Sequence, residues 1–152
     1  MAKQRPKQEK RITNRRARYD YDLGDSLVVG LQLTGAETKA LRLGHGILRG
    51  SYVTVKDNEL WLINAQITGA RGIHIPDDSQ TRTRKLLAKR QEIDRLIQAK
   101  NLGNTIVPLE LLTQGRYIKL RIAAGRGKKE YDKRETIKRR QEERDIARKA
   151  RS

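Results

Sequence analysis

Past Gly125 the chain stops supplying side chains that can build a core. Between there and the C-terminus only Tyr131, Ile137 and Ile146 are large and apolar. Any packed domain must therefore be made from the residues upstream. The junction, Gly125-Arg-Gly-Lys-Lys-Glu-Tyr-Asp-Lys-Arg-Glu135, sets two glycines beside two lysines. That combination lets backbone come close to a partner and places cations at the point of approach. Just before it, Tyr117, Lys119 and Arg121 alternate with Ile118, Leu120 and Ile122, the period of a half-buried strand.

Charge is distributed to match. The 152 residues carry 35 Lys and Arg against 18 Asp and Glu, a net +17. Residues 1–18 contribute +7 and residues 126–152 contribute +6, leaving only +4 on the 107 residues between them. A nearly neutral body with two basic ends suits a polyanionic partner, nucleic acid first. With no cysteine, disulfides and thiol catalysis are excluded. No apolar run approaches the roughly 18 residues of a membrane span and no signal-peptide core is visible, so a cytoplasmic protein without membrane contact is expected.

Order along the chain gives three units: a basic flexible arm over 1–18, a folded body over 19–125 and a basic tail over 126–152. In the body, Ser26–Leu33 reads as a strand with a bend at Gly30. Thr34-Gly-Ala-Glu37 reads as a helix capping box, and Gly44 as that helix's stop. Tyr52–Val55 and Leu60–Ile67 form a hairpin around Lys56-Asp-Asn-Glu59, with Trp61, Ile63, Ala65 and Ile67 on one inward face. Gly69–Ser79 is a loop. Leu86, Leu87, Ile93, Leu96 and Ile97 predict a long helix beginning near Thr81 or Thr83 and ending at Gly103. Ile106–Leu112 and Tyr117–Ala123 form a second hairpin. The fold class expected is mainly β with two to three flanking helices: a small antiparallel barrel of the OB type, or else a β-sandwich.

Catalytic chemistry finds no support in these patterns. His45 and His74 stand alone in loops without metal-ligand spacing, and Asp77-Asp78 lies in a polar loop. Gly125-Arg-Gly-Lys128 lacks the first Gly and the Ser or Thr of a phosphate-binding P-loop. No catalytic residue, metal or cofactor is expected. With no Phe, one Trp and five Tyr, the body lacks rows of stacking aromatics, which favours structured RNA over unpaired RNA. A ribosomal or ribosome-assembly protein with basic tails, binding structured rRNA, is one reading of this set.

A more specific reading comes from the ordered motifs Leu33-Thr-Gly-Ala-Glu-Thr-Lys39 with Leu41-Arg42, Ser51-Tyr-Val53, Glu59-Leu60, Asn64-Ala65, Arg82-Thr-Arg-Lys-Leu-Leu87, Glu92-Ile93, Val107-Pro-Leu109 and Gly127-Lys-Lys-Glu-Tyr-Asp-Lys-Arg134. From about Asn14 onward the chain resembles the small protein B family, the SsrA (tmRNA)-binding proteins of bacterial trans-translation. The resemblance implies a monomer on an OB-type barrel that holds the tRNA-like domain of tmRNA in the A site of a stalled ribosome. It implies contact with small-subunit rRNA and the mRNA channel, and indirect links through tmRNA to alanyl-tRNA synthetase and elongation factor Tu. RNA contacts fall by resemblance on Glu37, Lys39, Arg42, Arg84, Lys85, Gly127, Lys128, Lys129, Asp132, Lys133 and Arg134. Decoding-centre contacts fall on Tyr131, Lys138, Arg139, Arg140 and Arg144. The tail is expected to be disordered when free and helical on the ribosome. Ala40, where the family usually has Ser, and the loop 69–80 depart from the pattern.

Overall fold

The computed structural model describes residues 11–151, so the outer part of the expected N-terminal arm lies outside the described residues. Its inner part does not behave as an arm. Ile12–Thr13 forms strand β1 and Ala17–Asp20 a single helical turn, α1. Ile12 and Ala17 are both buried, and that burial holds the segment on the body.

The elements then run β2 (Tyr21–Leu31), α2 (Gly35–Arg42), β3 (Gly46–Ile47), β4 (Tyr52–Lys56), β5 (Glu59–Ile63), β6 (Gln66–Ile67), β7 (Arg84–Leu87), α3 (Arg90–Asn101), β8 (Thr105–Leu112), β9 (Lys119–Gly127) and α4 (Glu130–Arg151). Among the described residues the protein is mainly sheet with four α-helices. Strands β8, β4, β5, β7, β2 and β9 pair in that order, and β9 pairs back to β8, so the ladder runs in a closed circuit with β1 added to β8. All the pairings in the circuit are antiparallel. Inside it lie Val29, Leu31, Val53, Leu60, Leu62, Leu86, Ile106, Leu120 and Ile122, with Leu41 from α2 and Ile93 and Leu96 from α3. A smaller cluster outside the circuit, Ala17, Val107, Leu109 and Ala123, seats α1 on β8 and β9.

The first hairpin turns more tightly than its sequence suggests. Asp57 and Asn58 both have positive φ, 54° and 59°, which makes a two-residue turn of the kind that matches strand twist. The inward face of β5 also differs from expectation. Leu60 and Leu62 point into the core at 0% and 1% exposure, and Trp61 and Ile63 lie on the outer side. Asn64 explains the change of phase: its φ of 63° breaks the alternation, after which Ala65 and Ile67 turn inward. The indole is held by its Nε1–H, which donates to the Lys56 carbonyl at 3.1 Å.

The long helix begins later than predicted. Arg84–Leu87 is a strand, with Leu86 buried and Leu87 exposed, and helix α3 starts at Arg90, where the Lys89 N–H donates to the Glu92 side chain at 3.0 Å. The alternation in β7 was masked because its second inward residue is charged: Arg84. Among the described residues no helix is long and apolar enough to cross a membrane.

Strands β2 and β9 cross closely at Gly125. A Cβ there would stand 2.2 Å from the Asp22 carbonyl oxygen and 2.9 Å from the Leu23 Cα, whereas one on Gly127 would meet nothing within 4 Å. Gly125→Ala should therefore lower stability by about 1–3 kcal/mol or more through backbone displacement, with Gly127→Ala as a near-neutral control. Urea midpoints of the two variants measure this, and equal midpoints would show that the crossing relaxes freely.

Candidate nucleic-acid interface

The residues assigned by resemblance separate into three groups. The first lies inside the protein. Glu37, at the third position of α2, completes the predicted capping box: its Oε1 accepts from the Thr34 N–H at 2.9 Å while Thr34 Oγ1 accepts from the Glu37 N–H at 3.2 Å. The same carboxylate accepts from Arg82 Nη2 at 2.5 Å, from Arg82 Nε at 3.2 Å and from Arg84 Nε at 2.6 Å. Glu37 is 2% exposed and Arg84 0%. Arg84 spends its remaining donors on carbonyls, Nη1 on Ala65 at 2.7 Å and on Arg82 at 3.2 Å, Nη2 on Gln80 at 3.0 Å and on Ser79 at 3.4 Å. These two side chains offer no surface to a ligand in this fold. They join α2, β7 and the loop 69–80, which the sequence left without any anchor.

Burial by itself would raise the Glu37 pKa, but the hydrogen bonds from Arg82, Thr34 and Arg84 outweigh it and hold the carboxyl below the ordinary glutamate range. Burial lowers the Arg84 pKa, opposed by Glu37, from a starting value so high that the group stays charged.

The second group is at the joint between β9 and α4. Arg126, Gly127, Lys128, Lys129, Glu135, Thr136, Arg139 and Asp22 line a cavity of about 390 Å³. The joint is braced from both sides. Asp20 accepts at its carbonyl from the Lys128 N–H at 2.8 Å, Lys128 Nζ donates to Thr136 Oγ1 at 2.8 Å, and Lys133 Nζ pairs with the Asp20 carboxylate at 3.6 Å while lying 5.7 Å from the Tyr19 ring centroid. The tail, expected to be helical only in a complex, is one 22-residue helix here. Lys138, Arg139, Arg140, Arg144 and Arg134 lie exposed along it. The side chains of Tyr131 and Asp132 lie outside the described residues.

The third group is on the outer face of the circuit. Gly30 pairs laterally with Leu87 on one side and Lys119 on the other; Val28 pairs with Arg121, and Trp61 with Lys85. Paired residues share a face, so Trp61, Lys85, Leu87, Val28, Lys119 and Arg121 form one outward surface. Leu87 is 52% and Val28 37% exposed there, beside lysine and arginine. Only Lys85 of this surface was singled out from sequence. The signal for the rest was the alternation in β9, whose outward members are Lys119 and Arg121. Lys39 is exposed on α2, and Arg42 is bound to a neighbouring hairpin. Among the described residues no group of three His, Asp or Glu side chains could hold a metal.

The comparisons with known proteins agree on one group of relatives. The family model described as SmpB protein matches residues 11–152. An SsrA-binding protein of Trichormus variabilis is 46% identical over 138 residues, covering 89% of this chain and 88% of the relative. One from Gloeothece citriformis is 41% identical over 151 residues, covering 97% of both. A solved structure described as "tmRNA-SmpB: a journey to the center of the bacterial ribosome" contains a chain 34% identical, with a TM-score of 0.65 over 80% of this chain and 86% of that one.

Removing the charge at Glu37 strands a buried guanidinium, so Glu37→Gln should cost about 3–5 kcal/mol even though Gln can serve a capping box. Because the folded pKa is depressed, the contribution is whole above pH 4.5 and is lost as pH falls through the folded value. Denaturant titrations below pH 5 should show wild type losing its advantage over Glu37→Gln; a constant difference down to pH 2 would rule out the charge as its source.

Proposed function

This chain belongs to the SmpB family, and on that premise we propose that it binds the tRNA-like domain of tmRNA and brings it to the A site of stalled ribosomes for trans-translation. The closed antiparallel circuit with its covering helices is read as an OB-type barrel. The observation that carries the reading is the joint at Gly127–Lys129, where Arg126, Lys128, Lys129 and Arg139 converge around one cavity between the strand circuit and a cationic helix. Cations held at such a joint gain affinity from each phosphate by releasing its counterions. The work is binding and placement rather than bond-breaking, and it belongs in the cytoplasm, where ribosomes stall.

The two parts then divide the task. The outer face and the joint hold tmRNA, through which alanyl-tRNA synthetase and elongation factor Tu are met indirectly. Helix α4 enters the mRNA channel, left empty by a truncated message, with Tyr131 at the decoding centre and Lys138, Arg139, Arg140 and Arg144 along the rRNA. Glu135 with Arg139 and Asp145 with Lys149 are acid-first i,i+4 pairs, each contributing about 0.2–0.5 kcal/mol. Ile137 and Ile146 are 53% and 69% exposed, so apolar burial adds little to α4, and contact with rRNA holds the helix in place.

Copurification of the tagged chain with RNA sequencing should return tmRNA as the dominant species; stoichiometric retention on salt-washed ribosomal subunits would instead favour a ribosomal protein. Replacing Lys128 and Lys129 with Ala should weaken binding and flatten the slope of log affinity against log salt by roughly 0.7 to 0.9 per lost contact. An unchanged slope would remove both from the interface. Truncation after Arg134, which also takes Thr136 and Arg139 from the joint, should weaken tmRNA binding by no more than the loss of that one cation while abolishing tagging of stalled peptides. Continued tagging would reduce the tail to an accessory.

A further inference from the structure

The tip of the second hairpin is held by one side chain from another element. Arg42, at the C-terminus of α2, donates from Nη1 to the carbonyls of Thr113 at 2.8 Å and Gly115 at 3.1 Å, and from Nη2 to that of Arg116 at 3.1 Å. Three of its five N–H donors are thereby spent on a four-residue turn. A turn between β8 and β9 would ordinarily be among the more mobile parts of the surface; here a planar guanidinium fixes three of its carbonyls at once. Arg42 therefore acts on whatever this tip presents.

The tip presents an aromatic ring. Tyr117 is 67% exposed, and the Arg116 guanidinium carbon lies 5.5 Å from its ring centroid, a cation–π stack that orients the ring without burying it. Exposing a tyrosine on a clamped turn serves no packing purpose. The surroundings are cationic: Arg116 on the ring, Lys119 two residues on at the edge of the outward face of β9, and Lys39 one turn before Arg42. An aromatic face with basic side chains about it fits a base flanked by phosphates better than it fits an apolar protein surface.

We propose that Tyr117 is a stacking site for a single unpaired nucleobase of the bound RNA, with Arg116 at the adjoining phosphate and Arg42 as the positioning residue that holds the tip. This rests on the tmRNA-binding reading and extends it to a site at the far end of β9 from the Lys128–Lys129 joint. The sequence pointed away from stacking because it offers no row of aromatics; one ring on a fixed turn grips one base, which a folded RNA supplies from a loop.

Affinity for the isolated tRNA-like domain of tmRNA, measured over a range of salt with full-length protein, tests it. Tyr117→Ala should lower affinity about tenfold with the salt slope unchanged, because no cation is removed, and Tyr117→Trp should bind as well as wild type. Arg42→Lys should lower affinity too, and combined with Tyr117→Ala should add little, since its effect runs through the ring. Thermal melts should be unmoved by the Tyr117 variants, whose ring is exposed. Wild-type affinity in Tyr117→Ala would overturn the proposal, including the case where that variant loses a protein partner instead. A fully additive Arg42→Lys loss would overturn the positioning role. Failure of wild type to bind this RNA would be a separate result, removing the functional reading itself.

Discussion

The buried carboxylate of Glu37 ties together parts of the chain that no strand pairing connects. One oxygen closes the N-terminus of α2, and both accept from arginines that precede or begin β7. Arg84 then carries the connection into the loop 69–80 through the Ser79 and Gln80 carbonyls and back to Ala65 at the end of the β4–β5 hairpin. A buried ion pair is weak evidence for stability, since apolar groups of the same volume often do as well. Its value here is geometric. A loop with two glycines and no periodicity has few ways to choose one path, and the Arg84 guanidinium, with four of its donors on carbonyls, fixes two carbonyls of that loop in one arrangement. With every described buried side-chain nitrogen and oxygen partnered, the network leaves no polar group to favour an alternative.

That network also marks where the sequence was hard to read. The capping box was legible because its spacing is local: Thr34 and Glu37 are three residues apart, and both bonds form. The second hairpin was legible for the same reason. Strand β7 was not, because reading it requires placing a charged residue inward, and the charge is compensated 47 residues away at Glu37. Trp61 was misplaced by a different cause. Alternation carried past Asn64 puts Trp61 on the wrong face, because a left-handed residue there shifts the phase, and asparagine is one of the few non-glycine residues that adopts it readily. In the site, the basic motif could be recognised residue by residue. What could not be read was which arginines are committed within the protein: Arg84 is wholly buried, and Arg42, although exposed, donates to three carbonyls.

At the joint the same competition is unresolved within the free protein. Lys128 donates to Thr136 and Lys133 shares Asp20 with Arg16, which approaches that carboxylate to 3.5 Å. These contacts are partly exposed, and pairs of that kind contribute at most about 1 kcal/mol. Contacts of that size brace the joint without locking it. The bond from Lys128 to Thr136 joins a cation to a neutral hydroxyl, so exchanging it for phosphate leaves no charge behind on the body. Taking Lys133 from Asp20 is different, because a carboxylate would be left close to incoming phosphate, and Arg16, which also lies 5.1 Å from the Tyr19 ring, must then neutralise it alone. Lys128 is thus tied to the body through a neutral partner and Lys133 through a charged one, and only the second exchange would separate opposite charges. Within six residues the chain therefore sets a cation proposed to face RNA beside one whose ion pair ties α4 to α1.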